Sequence, residues 1–131
     1  MNAPSEDIKD ILVAGGLGLV FTTNLFIGKE PTTPKICTTI FDTHGRPPDL
    51  GLTSQGYERP SVQIRVRHTD YRTGWTLANN IKDLLHGKEH ETWNGTLYTV
   101  IFCSSGPALL DWDDNNNVRF VVNFNLQRRT A

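Results

Sequence analysis

Several short stretches of this 131-residue chain place polar or charged side chains at spacings that chemistry uses. His86-Gly-Lys-Glu-His90 matches H-x-x-E-H, the pattern in which one helical face presents two imidazoles to a zinc ion while the glutamate activates water. Gly87 stands where that helix would have to continue, and no defined partner supplies a third ligand. The stretch therefore reads as a helix end with two solvated histidines, and no metal is assigned to it. Asp111-Trp-Asp-Asp-Asn-Asn-Asn117 has the carboxylate density of a calcium loop, but Asn116 stands where an EF-hand needs glycine and Val122 where it needs the bidentate acid. It reads as a polar turn feeding a strand.

Two further patterns fail for positional reasons. Gly15-Gly-Leu-Gly18 follows a helix instead of linking a strand to a helix, so it stops a helix and does not cradle phosphate. Ser104-Ser105-Gly106 lacks the flanking glycines of a nucleophile elbow, and no residues assemble a nucleophile, a base and an orienting group. No catalytic residue, cofactor or metal is expected.

The remaining chemistry is recognition, and it lies on Glu58-Arg-Pro-Ser-Val-Gln-Ile-Arg-Val-Arg67. Val62, Ile64 and Val66 alternate with Gln63, Arg65 and Arg67, so one side of a strand is apolar and the other is hydrogen-bonding and cationic. A sheet built this way buries one side and leaves the other for water or another protein chain. Arg65 and Arg67, with Arg59 and Arg72 nearby, have guanidinium groups that suit phosphate. Against that, 13 basic and 14 acidic residues give a net charge of -1, which removes the broad positive field of a nucleic-acid binder. Trp75, Trp93 and Trp112 fall on three different elements and read as core or interface anchors, not as a base-stacking platform.

The elements that carry these residues follow from periodicity and punctuation. Ser5 is positioned to cap a first helix, with Glu6 and Asp7 in its opening turn and Gly15-Gly16 at its end. Leu17 to Ile27 reads as a first strand leaving at Gly28, and Lys35 to Asp42 as a second. Thr43 to Tyr57 is a long turn-rich loop. Ser61 to Thr69 gives the third strand. Leu77, Ala78, Ile81, Leu84 and Leu85 then share one face of a helix that Gly87 stops. Asn94-Gly95 marks a hairpin turn within Glu91 to Ser104, and Val118 to Arg128 is the last strand, with Phe120, Val122, Phe124 and Leu126 on one side. This order predicts an α+β fold: a mixed, mainly antiparallel sheet with two helices packed on one face, in a single domain spanning 1–131.

Cys37 and Cys103 lie far apart in strand-like runs and read as two buried thiols in a reducing compartment. The apolar run Ile11 to Phe21 is short of the roughly 18 to 20 residues that span a bilayer, and neither a basic leader nor a cleavage pattern accompanies it. A soluble, cytoplasmic protein without membrane contact is expected.

Glu58 to Arg67, then Tyr71, the helix ending Leu84-Leu85-His86-Gly87, and Asp113-Asp-Asn-Asn-Asn-Val-Arg-Phe-Val-Val-Asn-Phe124 together resemble the tail-terminator or minor capsid (tail completion) proteins of long-tailed bacteriophages. The resemblance covers about half the chain and consists of spacing patterns, not of an invariant motif. It implies a structural virion protein of the neck. Such a subunit closes into a ring with copies of itself, usually a hexamer, that caps the tail tube and docks the tail onto the head-completion or connector protein. Genomic DNA passes through the ring without sequence-specific binding. On this reading the protein is made in the host cytoplasm and resides in the virion. Arg65, Arg67 and Tyr71 are the candidates for an intersubunit or docking surface, and Asp111, Asp113 and Asp114 for a channel or docking loop. The Thr43 to Tyr57 loop has no counterpart in the family pattern.

Three alternatives follow from the same residues. A head-completion or adaptor protein of the same connector cannot be separated from a terminator by sequence. A small metal-dependent hydrolase would use His86, Glu89 and His90. A single-stranded nucleic-acid module would use the arginines and show strongly salt-dependent binding.

Overall fold

The computed structural model describes residues 1–49 and 56–131. Two helices, α1 (Pro4–Ala14) and α2 (Tyr71–Leu85), accompany strands β1 (Leu25–Ile27), β2 (Cys37–Arg46), β3 (Arg59–His68), β4 (Lys88–Trp93), β5 (Thr96–Trp112) and β6 (Val118–Thr130). The strands form one sheet in the order β1-β2-β3-β6-β5-β4, with β1 parallel to β2 and every other pairing antiparallel. This is the expected α+β architecture.

Alternation decides which side of the sheet is covered. Val62, Ile64 and Val66 of β3 are fully buried beside Phe120, Val122 and Phe124 of β6, their register partners. Ile8, Ile11 and Leu12 of α1 and Ala78, Ile81 and Leu85 of α2 close over that surface, so both helices lie on one face and share one apolar cluster. Gly74 sets the height of α2: a Cβ there would sit 2.9 Å from His68 Cβ and 3.0 Å from Phe120 Cε2, so the missing methyl lets the helix lie against the ring.

The first strand is shorter than its residue types predict. Only Leu25–Ile27 pairs, while Val20 and Phe21 stay exposed in a turn held by Asn24, whose side chain accepts from Val20 N and donates to Gly18 O. β-Favouring residues make a strand only where a neighbour offers a ladder, and β2 offers three positions here. The second strand is longer than expected, because Thr43 to Arg46 continue alongside β3 across a register shift. That takes the start of the Thr43 to Tyr57 loop into the sheet; residues 50–55 of the loop lie outside the described residues.

The helix caps also depart from expectation. Ser5 is inside α1, which has Ala3 as N-cap and Pro4 in its first turn, and the acceptor for Ser5 comes from Asp42 on β2. Asp70, which sequence reading passed over, is the N-cap of α2 and accepts from both the backbone N–H and the hydroxyl of Thr73. The hairpin turn at Asn94-Gly95 stands as read, with φ of 52° and 77° at the two residues.

Candidate functional site

The sheet face turned away from the helices carries a polar ladder. Ser61 donates to Asn125 at 2.6 Å, Gln63 to Asn123 at 3.0 Å, and Asn123 to Ser105 at 2.9 Å, so hydrogen bonds run across β3, β6 and β5. Arg65 joins the ladder by donating to Gln63 at 2.8 Å and lies 4.8 Å over the Phe41 ring. Below it, Arg46, Arg59, Phe102, Asn125 and Gln127 line a hollow of about 270 Å³. Arg59 is held there by Gln127 and Asp49.

Arg67 sits on the same face but is enclosed. Its guanidinium donates to the carbonyls of Lys35, Pro31 and Pro34 and forms a 2.8 Å ion pair with Glu30, leaving the residue 7% exposed. Five rigid donors suit this task, because a loop without secondary structure has carbonyls that need partners. Arg67 therefore folds the segment after β1 back across the sheet. Glu30 also meets Arg119 at 3.4 Å, and Arg119 grips Asp111 through two bonds of 2.6 and 2.5 Å. Arg119 holds the Asp111 carboxyl below its ordinary range, and Asp111 and Glu30 hold the Arg119 guanidinium well above its own. Sequence reading missed Glu30 and Arg119. The second was accessible, since a hairpin turning at Asp113–Asn117 places Asp111 opposite Arg119.

The acidic turn divides its carboxylates between tasks. Asp111 ends β5 in the pair with Arg119. Asp113 accepts from the backbone of Asn117 at 2.8 Å and of Asn115 at 2.9 Å, which lowers its pKa and closes the turn. Asp114 is exposed and makes no ion pair or hydrogen bond with a described residue.

On the helix side, Tyr71 stacks on Trp112 with centroids 6.3 Å apart, and Tyr71 and Trp75 both meet Phe120 edge-on at 5.0 and 5.9 Å. Leu109, the register partner of Phe120, is 47% exposed, and Trp112 is 51% exposed. Tyr71, Arg72 and Trp75 line a shallow hollow of about 410 Å³ in this patch. Trp93 instead packs on the core and donates its indole N–H to Glu91.

A second, interior polar network fixes α1. Buried Asp7 accepts from the Tyr98 hydroxyl in a short hydrogen bond and from Asn94, while Arg128 reaches Tyr98, Glu58 and the Asn2 carbonyl. Burial, then the bond to Asp7, pushes the Tyr98 phenol well above its usual range.

The hydrolase constellation does not form. His86 caps α2 with its Nδ1 accepting from Cys103 N, Gly87 leaves the helix at φ 88°, and Glu89 and His90 are exposed on β4. Among the described residues no group of three or more His, Cys, Asp or Glu side chains could hold a metal ion. Ser104 to Gly106 lie in β5, with Ser105 accepting from Asn123. Cys37 is buried and Cys103 partly so, and both are free. Among the described residues no helix is long and apolar enough to cross a membrane.

A family model described as bacteriophage tail terminator protein matches residues 7–130, the whole of the sheet and of α2 and most of α1. The chain belongs to the bacteriophage tail terminator family. No curated protein sequence gives a significant match. Among solved structures, a chain of the virion of the native gene transfer agent particle is similar, with a TM-score of 0.67 at 12% identity over 96% of this chain and 94% of that one. At that identity the likeness shows the fold. Membership makes the chain a phage structural tail protein, a virion component that interacts with other phage structural proteins. The family is structural and not enzymatic.

Proposed function

We propose that this terminator closes into a ring, a hexamer, that caps the tail tube and joins the tail to the head connector while DNA passes through its centre. The family match over 7–130 carries the reading. Two features of the fold support it. The sheet leaves a polar face uncovered by its own helices, and a separate aromatic patch lies exposed at the start of α2. A subunit in a stack needs contacts in more than one direction, and distinct surfaces provide them.

Within this reading Arg65 and the Ser61, Gln63, Asn123 and Asn125 ladder form a docking face toward the tube or connector, and Tyr71 lies at a contact between subunits. Arg67 contributes by holding the Gly28 to Ile36 segment in place instead of by direct contact. Asp111, Asp113 and Asp114 sit in a turn at the channel rim, where carboxylates repel phosphate and let DNA slide. The partners are further copies of the chain, the tail tube protein and the head-completion protein.

Electron microscopy of the purified chain mixed with tail tubes tests this. Rings, or a cap confined to one tube end, are the expected result. A protein that binds heads but leaves tube ends bare would instead be a head-completion or adaptor protein.

A further inference from the structure

Toward each end of the sheet an apolar surface is left exposed, and the two surfaces differ in kind. At one end, β4 covers β5 only as far as Ile101, and beyond the Cys103 N–H, which donates to His86, the upper half of β5 has β6 on one side and no strand among the described residues on the other. The aromatic patch of Tyr71, Trp75, Leu109 and Trp112 is built on that half. At the other end, β1 is the edge strand, and Phe21 bridges Leu25 outside it, with Val20 53% and Phe21 38% exposed. Exposed Val13 lies one helical turn beyond Lys9, which sits 4.8 Å over the Phe21 ring.

Charge runs in a complementary sense. Arg72 borders the aromatic hollow, and its guanidinium makes no hydrogen bond or ion pair with a described residue. Beside Phe21, Lys9 is flanked by Glu6 at 3.6 Å and Asp10 at 3.0 Å, so the exposed ion cluster there is net acidic, and the Glu6 side chain is 47% exposed. An apolar hollow bordered by an arginine that feels Asp70 but forms no ion pair with a described residue thus faces one way along the sheet, and an apolar knob with surplus carboxylate faces the other.

Resting on the ring reading above, we propose that the β5 edge of one copy receives the β1 edge of the next. Phe21 and Val20 pack against Tyr71, Trp75 and Trp112, and Arg72 pairs with Glu6. The contact is heterologous, joining two different surfaces, which is the kind that propagates into a closed ring. It is made by side chains more than by an added strand: the register shifts between Ser105 and Ala108 and between Leu109 and Asp111, together with Pro107, interrupt the row of backbone donors on this edge.

Mixing two interface variants tests the arrangement. Trp112→Glu and Phe21→Glu each remove one side of the contact, and sedimentation velocity should find each variant alone as single chains. Mixed in equal amounts they retain one intact pair of surfaces and should form a two-chain species that grows no further. A Trp112→Glu or Phe21→Glu variant that self-associates as well as the wild type overturns the proposal, as does a mixture that stays single.

The charge pair supplies a milder probe. Arg72→Glu or Glu6→Arg should each weaken association by at least several fold, and the two changes in one chain should restore it. Absence of rescue overturns the pairing. Wild-type chains that stay single both in solution and on tube ends overturn the ring reading and this proposal together. Wild-type rings unaffected by the edge variants overturn this proposal alone.

Discussion

Ser5 in the first turn of α1 donates its backbone N–H to Asp42 Oδ1 at 3.0 Å and its hydroxyl to Asp42 Oδ2 at 2.7 Å, across 37 residues of sequence. A helix N-terminus exposes N–H groups and a partial positive charge, and a carboxylate answers both. The bond fixes the start of α1 to β2 while Asp7 fixes its middle to Tyr98 on β5. Removing the carboxylate by Asp42→Ala should cost about 0.5–2 kcal/mol, the range for loss of a helix cap. Urea unfolding of the variant checks this, and an unchanged midpoint would show that water replaces the cap at no cost.

Packing of α2 on the sheet gives a second expectation. Ile81 is fully buried among the β3 and β6 side chains, so Ile81→Ala should destabilise by about 2–5 kcal/mol. Gly74→Ala should cost about 1–3 kcal/mol for the opposite reason, because its methyl would press on Phe120 and His68. Thermal unfolding of both variants separates a cavity from an overpacked contact, since Gly74→Ala alone should also move the exposed Tyr71 and Trp75 and alter tryptophan emission.

Arg65 and Arg67, two residues apart on one strand face, should respond differently to the same change. Arg67→Ser leaves Glu30 and four loop carbonyls short of a donor in a buried site and should cost about 3–5 kcal/mol. Arg65→Ser removes a half-buried hydrogen bond and a ring contact and should cost about 1 kcal/mol or less. Equal losses would mean that the loop does not depend on its arginine. On the docking reading, Arg65→Ser chains fold normally but enter virions poorly.

Stability in acid should depend on Asp111. Its folded pKa lies below the unfolded value because Arg119 binds the carboxylate form, so its contribution is present above about pH 4 and is lost as pH falls through the lower folded pKa. Asp111→Asn should therefore lose stability relative to the parent near neutral pH, with the gap closing in acid. A gap that widened on acidification would contradict the pairing.

The channel assignment predicts a kinetic effect. Replacing Asp113 and Asp114 by Lys should slow genome passage while heads and tails still join, because lysines at a rim hold phosphate. Asp114→Lys alone is the cleaner variant, since Asp113 also closes the turn through Asn117. Ejection rates from assembled particles measure it. Unjoined heads and tails would instead mark the turn as a docking surface.

Much of the fold was legible because its signals are local. Period-two alternation in β3 and β6, three-and-four spacing in α2 and the Asn94-Gly95 turn depend on neighbours within a few residues, and each element stands where those patterns put it. Asp70 preceding α2 was as readable and was missed, whereas Leu17 to Asn24 carried a strand composition that no partner strand honours.

The candidate surfaces were legible as residue types and not as roles. Sequence alone determined that Arg65 and Arg67 share a face of the strand, because side-chain direction follows from backbone period. Only the tertiary structure decided that Arg67 is enclosed by the Glu30 to Lys35 segment while Arg65 remains on the ladder, since that follows from where a segment about 32 residues upstream crosses the sheet. It likewise gathered Tyr71, Trp75 and Trp112 into one patch from α2 and the end of β5. The parting of His86 from Glu89 and His90, by contrast, was already readable at Gly87, and α2 does end just before it, at Leu85. Spacing along a chain fixes which side chains share a face, and long-range packing fixes which of those faces are left for a partner.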